Sequence, residues 1–292
     1  QIKKNRNLPS NAELSNASLY ISWGLFKKIV FADNLGNLVN VASLSLIPGS
    51  GFISVFAFSF QIYCDFSAYT DLARGVAIIF GIQLKRNFLT PYSSKTPTEF
   101  WNRWHISLSE WIRDYVYFPL FKRISYSSKN FFTNHNIAIF ISMAVSGLWH
   151  GSSEMFLLWG LYHGSLLILY RIVPINQIVE KYIPKLGKYL SASIMYGFVC
   201  FGWMMFMSKN FREFLHYGYR SVTLFIEPFN PEILHLIYGL GLFSIPIIFS
   251  EIIARRKNKE FIEVLIKYNS FQRGILYVVM IYLTIFFMKR EA

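Results

Sequence analysis

Two histidines carry the chemistry that this sequence suggests. His150 stands in Gly147-Leu-Trp-His-Gly-Ser-Ser153, between apolar runs 131–146 and 155–170 whose only ionisable nitrogen side chains are His135 and His163. Glycines at 147 and 151 allow a sharp turn and the close approach of another group. Trp149 adds an indole N–H. Apolar surroundings favour the neutral imidazole, and a neutral imidazole is what a general base must be. The chemistry would be removal of a proton from a weak nucleophile such as a hydroxyl. The residues alone leave a second reading open, that of a core histidine satisfied by its neighbours.

The second histidine lies in Glu99-Phe-Trp-Asn-Arg-Trp-His-Ile-Ser-Leu-Ser-Glu-Trp-Ile-Arg-Asp-Tyr115. Read at the helical period, Trp101, Trp104, Leu108, Trp111, Ile112 and Tyr115 share one apolar arc. Glu110, Arg103 and Asp114 fall opposite, and Asn102, His105 and Ser109 make a neutral polar band along one flank. That pattern suits an interfacial helix with a tryptophan belt, and equally a helix that edges a wet cavity. Asp65 and Asp71 sit inside an apolar run, where an ionisable group needs a partner or water. Asp71 and Arg74 have the spacing of a helical pair. Asp65 has no local partner, which makes Arg103 or Arg113 candidates from elsewhere in the fold.

The elements that must position these residues are largely apolar. The 292 residues are 53% hydrophobic and only 15% charged, against about 25% charged in soluble domains. The chain reads as an integral membrane protein with some interfacial helices. Spans of bilayer length are expected near 131–149, 153–171, 190–208, 233–254 and 274–288, with a longer helical run over 52–82. Residues 1–16 and 209–231 read as loops, 17–47 as an interfacial helix followed by a shallow one, and 98–118 as a single amphipathic helix stopped by Pro119. The net charge of +13 comes from short clusters between apolar runs, the pattern of cytoplasmic loops, and no nucleic acid is expected. If those loops are cytoplasmic, the His150 turn points to the outer side or into a cavity open to it, a pattern weakened by Lys209, Arg212 and Arg220, which would then lie outside. Cys64 and Cys200 read as isolated buried thiols. No phosphate-binding loop, dinucleotide fingerprint, nucleophile elbow or metal-ligand spacing is found, so no metal and no bound cofactor are expected.

The segments GLFKKIVFADNLG (24–36), QIYCDFSAYTDLARG (61–75), FWNRWHISLSEWIRDYVYFPL (100–120), SGLWHG (146–151) and WGLYHG (159–164) together resemble the membrane-bound O-acyltransferase family. The nearest branch resembles the bacterial alginate O-acetylases, with the teichoic acid D-alanyl transferases as cousins. FGWMMF (201–206) and the run ending FFMKREA are similar to later segments of that branch. The resemblance implies an all-α, polytopic bundle of many helices around a central tunnel, in the bacterial cytoplasmic membrane. It implies that His150 matches the family's catalytic histidine and His105 the second motif histidine of this branch. Family members carry further N-terminal spans and a short C-terminal tail, so 1–292 reads as one membrane-embedded acyltransferase domain within a longer protein.

The expected function is transfer of an acyl group, acetyl first, onto hydroxyls of a cell-envelope or secreted polysaccharide. Acetyl-CoA or another acyl donor would be a substrate, with a carrier protein and a periplasmic or extracellular acyltransferase as possible partners beside membrane lipid. Trp149, Asn102 and His105 are the candidate oxyanion donors, Trp101 and Trp104 the tunnel walls, and Asp65 a further candidate site residue. D-alanyl transfer to teichoic acid is the alternative chemistry. A non-catalytic transporter or scaffold for acyl groups or glycan is the alternative class.

Overall fold

The computed structural model describes residues 8–288, and among them every regular element is helical. Helix α1 (Asn11–Phe26) starts behind a capping box, in which Ser10 accepts from the Glu13 N–H and the Glu13 carboxylate accepts from the Ser10 N–H. It continues through a π-helical turn, Lys27–Ala32, into α2 (Asp33–Leu44). Then come α3 (Ser50–Ile79), α4 (Pro97–Trp101) and α5 (Ile106–Ile112). A second π-helical turn, Arg113–Tyr117, leads into α6 (Phe118–Ser127). The rest are α7 (Phe131–His150), α8 (Glu154–Ile172), α9 (Ile175–Tyr182), α10 (Gly187–Met207), α11 (Phe211–Ile226), α12 (Ile233–Lys257), α13 (Phe261–Leu265) and α14 (Ser270–Phe287). Helices α3, α7, α8, α10, α12 and α14 are long and apolar enough to cross a membrane.

Four expectations need correction. The N-terminal loop ends early, because Ser10 and Glu13 cap a helix from Asn11; residues 1–7 lie outside the described ones. The single helix over 98–118 is broken at Asn102–His105, where His105 takes a left-handed backbone (φ 42°, ψ 54°). Pro119 stops nothing: α5, the π-helical turn and α6 run on without a break, and Pro119 follows directly on the wider π turn, an irregularity of the kind that accompanies a helical proline. The loop expected over 209–231 holds α11, whose apolar residues recur at helical spacing with Glu213, Arg212 and His216 between them. The last residues of FFMKREA, 289–292, also lie outside the described ones.

The chain divides into two compact units, one of residues 1–89 with 220–292 and one of residues 90–219. In the first, α3 lies against α1, the π-helical turn and α2. The α1–α3 contact is tight at Gly24 and Gly75, where a Cβ would stand 2.9 Å from the carbonyl oxygens of Ala68 and Ala17. The wider π turn aims both of its lysines at charged partners. Lys27 Nζ lies 2.8 Å from Asp71 and 2.8 Å from Ser67 Oγ. Lys28 Nζ lies 2.8 Å from Asp65 and 2.9 Å from Asp33. Arg74 instead meets Glu260, at 2.5 Å. The expected Asp71–Arg74 pair therefore does not form. Both charges instead take partners from other elements, Asp71 from the π-helical turn and Arg74 from the residue that precedes α13.

The second unit is built on the antiparallel pair α7 and α8, with α10 against α8 and α9. Here Gly147 and Gly160 face each other: a Cβ on Gly147 would fall on the Phe156 carbonyl, and one on Gly160 on that of Met143. Small residues at such crossings let backbones approach where lipid provides no hydrophobic drive between helices.

Two outcomes follow from this packing. Gly160→Leu in the full-length protein should lose about 1–3 kcal/mol or fail to fold, because overpacking has no relief against backbone. Gly197→Ala, where a Cβ meets nothing within 4 Å, should be neutral or slightly stabilising. Thermal unfolding in detergent checks both, and a wild-type Tm for Gly160→Leu contradicts the crossing. Lys27→Met should cost about 3–5 kcal/mol by stranding the Asp71 carboxylate, and adding Asp71→Leu should recover most of that loss.

Candidate active site

His150 is the last residue of α7. The chain turns at Gly151, whose φ of 155° suits glycine and whose Cβ would stand 2.9 Å from the Phe156 ring. Ser153 then caps α8 by accepting from the Met155 N–H. Gly147 therefore serves the helix crossing, and only Gly151 serves the turn. The two helices hold the imidazole inside a box of ring edges. Trp149 is 4.9 Å away at 82°, Trp159 5.2 Å at 89°, and Phe206 of α10 4.9 Å at 82°. The ring is half-buried, walled on several sides and open on the rest.

His105 lies against the same Trp149 ring, at 6.2 Å. Its left-handed backbone costs about 1–3 kcal/mol, strain that a fold retains where it positions something. Burial, and then the charge of His150, push His105 down to about 4 from the usual 6.5, so it is neutral at ordinary pH. From His105, α5 and the second π turn run back along α7. At the far end, Tyr117 hydrogen-bonds His135 Nδ1. The segment 105–117 thus lies antiparallel to 135–150, with both motif histidines at one end.

Behind this pair is an aromatic cluster. Trp101 packs edge-on to Trp159 at 5.7 Å and to His163 at 5.1 Å. Trp104 lies 4.9 Å from Trp203, and Trp203 lies 6.2 Å from Trp159. The indole N–H groups of Trp101, Trp159 and Trp203 and Nδ1 of His163 are buried without a partner in the protein. An unmade hydrogen bond at a buried donor costs about 1–3 kcal/mol.

The structure thus brings together His150, His105, Trp149, Trp101 and Trp104 within one unit. Asn102 is exposed at the C-cap of α4. Asp65 lies in the first unit and pairs with Lys28. Neither arginine suggested for it is its partner: Arg103 binds Glu99 at 2.9 Å, and Arg113 binds Asp114 at 2.9 Å. Trp159, Trp203, Phe206 and Phe156 were not foreseen. Their signal was there in WGLYHG and FGWMMF, but which aromatic faces His150 depends on how α8 and α10 rotate against α7. The outward placing of the His150 turn, inferred from basic loops, also meets a complication. Ser153 and Glu154 bond to the backbone of Lys209 and Phe211, so Lys209 stands at the same end as His150.

Among known proteins, the probable alginate O-acetylase AlgI of Pseudomonas aeruginosa is 35% identical over 189 residues, 64% of this chain and 34% of that protein. The peptidoglycan O-acetyltransferase of Helicobacter pylori is 34% identical over 223 residues, 74% of this chain and 40% of that protein. The teichoic acid D-alanyltransferase of Bacillus subtilis is 34% identical over 196 residues, 65% of this chain and 49% of that protein. The chain thus spans between about a third and a half of the length of these relatives. The family model of the membrane-bound O-acyltransferases matches residues 17–211, which include every residue of the aromatic-walled histidine site. By that match, and by the helices that carry it, this chain belongs to the membrane-bound O-acyltransferase family.

Proposed function

We propose that this chain carries the chemistry of a membrane O-acyltransferase that moves an acyl group, acetyl in the first instance, from a thioester-type donor to a hydroxyl of a cell-envelope or secreted polysaccharide. The observation that carries the reading is His150, held at the end of α7 in an aromatic box, with His105 against the same Trp149 ring. The relatives named for O-acetylation of alginate and peptidoglycan support acetyl and a polymer acceptor. The D-alanyltransferase among them supports a second reading, in which the acyl group is D-alanyl. A bacterial inner-membrane location belongs to the same proposal, as does relay through a partner acyltransferase.

The hydroxyl oxygen attacks the acyl carbonyl carbon while His150 takes the hydroxyl proton. Collapse of the tetrahedral intermediate breaks the carbon–sulfur bond, and the leaving thiolate receives that proton from the imidazolium. Trp149 and His105, beside His150, are the donors this reading assigns to the oxyanion. Asn102, exposed at its turn, is the weaker candidate. The surrounding rings keep water from the donor, which otherwise hydrolyses.

With full-length protein in membranes, His150→Ala at matched expression should lower transfer of label from acetyl-CoA to envelope glycan by about 10²–10⁴-fold. Unchanged transfer would make His150 structural and remove the proposal's base. His105 gives a second check through its depressed pKa. Its neutral imidazole NMR signals should persist on acidification past 6.5 and change with a midpoint near 4. Between those values the unfolded chain binds the proton and the folded one does not, so His105 should make the protein less stable as pH falls from about 6.5 towards 4. A midpoint near 6.5 would mean that His105 is not buried as the structure has it.

A further inference from the structure

Among the described residues, three that are not glycine have a positive φ: Thr90 at 46°, His105 at 42° and Asn258 at 50°. Asn258 closes α12, an ordinary place for asparagine in the left-handed region. Thr90 and His105 fill no such role. Each stands just before a helical segment, and neither side chain caps it. Thr90 is also β-branched, which makes a left-handed backbone rare. Conformations of this kind persist where surrounding contacts over-determine them.

One side chain joins the two strained places. Arg103, two residues before His105, donates from Nη1 to Thr90 Oγ1 at 2.9 Å. Its Nη2 lies 2.9 Å from Glu99 Oε1. Glu99 is itself fixed, because its Oε2 accepts from the Lys95 N–H at 2.8 Å. Both charged side chains are largely withdrawn from water. A planar guanidinium holds a hydroxyl and a carboxylate at once in fixed directions, which the compact ammonium of lysine does not reproduce. The next residue adds an apolar tie: Trp104 stacks on Tyr92 at 6.0 Å and on Phe100 at 5.8 Å. Residues 103 and 104 are therefore both fastened to the turn at 90–92, and His105 follows directly from them.

We infer that Arg103 is a positioning residue for the transfer reaction: by tying the break at 102–105 to Thr90 and Glu99, it holds the His105 imidazole against Trp149. Arg103 acts through His105, so its part in the reaction rests on the acyl-transfer reading, whereas the tie itself does not. Cutting the tie should slow turnover and leave donor binding nearly unchanged, because His105 is assigned to an oxyanion that exists only after attack. It should also let the ring out of its buried place, which moves its titration toward the ordinary histidine value.

The test uses full-length protein, in detergent for the His105 imidazole NMR signals and in membranes for transfer of label from acetyl-CoA to glycan, the rates taken per folded molecule. Arg103→Lys keeps the charge and loses the fork. Thr90→Val keeps the shape and loses the oxygen, and Thr90→Ser keeps the oxygen. In Arg103→Lys and Thr90→Val the His105 midpoint should rise from near 4 toward 6.5. In the same two variants kcat should fall by about 10–10²-fold, the cost of a small misplacement of an acting group, with KM for acetyl-CoA nearly unchanged. Thr90→Ser should keep both the wild-type midpoint and the wild-type rate. The double variant should be no worse than Arg103→Lys alone, since both changes break one contact. A midpoint still near 4 in both single variants overturns the proposal whatever happens to transfer, and so does a Thr90→Ser as impaired as Thr90→Val. A raised midpoint with transfer at the wild-type rate supports the tie and overturns the role in transfer given to His105. Should Arg103→Lys fail to fold, the two Thr90 variants decide.

Discussion

A bilayer has no water to offer a buried polar group, so each one must find its partner within the protein. The backbone meets that demand by being helical. Side chains meet it by pairing, and the pairs hold the helices in place. Lys27 with Asp71 and Arg74 with Glu260 join elements of the first unit at points where an unpaired charge would be untenable. Not every buried polar atom is served: among the described residues Trp101, Ser142, Trp159, His163 and Trp203 of the second unit and Arg220 of the first each bury one without a partner in the protein.

Close approach of helices does the positioning. The α7–α8 crossing at Gly147 and Gly160 brings Trp159 to the edge of His150 and the Met143 backbone against Gly160. One crossing therefore sets a wall of the histidine box. The irregular segments complete the arrangement. The left-handed residue at His105 turns its imidazole toward Trp149, and the π turn after α5 keeps residues 108–117 along α7. A regular helix through 98–118 would carry the same side chains at other angles, so the break at Asn102–His105 is what makes a site of them.

The membrane class, the six apolar helices and the candidate histidines were legible in the sequence because they follow from local quantities. Apolar run length, the glycines of SGLWHG and the tryptophans of 100–120 need no knowledge of distant contacts. The N-terminal capping box was equally local, at Ser10 and Glu13, and sequence reading passed over it in favour of the polar composition around it. The amphipathic period of α11 was passed over in the same way, under the basic residues that gave 209–231 the look of a loop.

What tertiary structure decided was which polar group meets which. Asp71 chose Lys27 over Arg74, Asp65 chose Lys28 over the suggested arginines, and Asn102 turned outward while His105 turned in. Periodicity places a residue on a face, but a partner is set by helix rotation, crossing distance and departures from the 3.6-residue turn, none of which is local. The sequence by itself determined that this is a helical membrane protein with a histidine at the end of an apolar helix. Only the packing of α7 against α8 and against residues 105–117 gave that histidine a second histidine nearby and aromatic walls, because desolvation and close contact arise between segments and not within them.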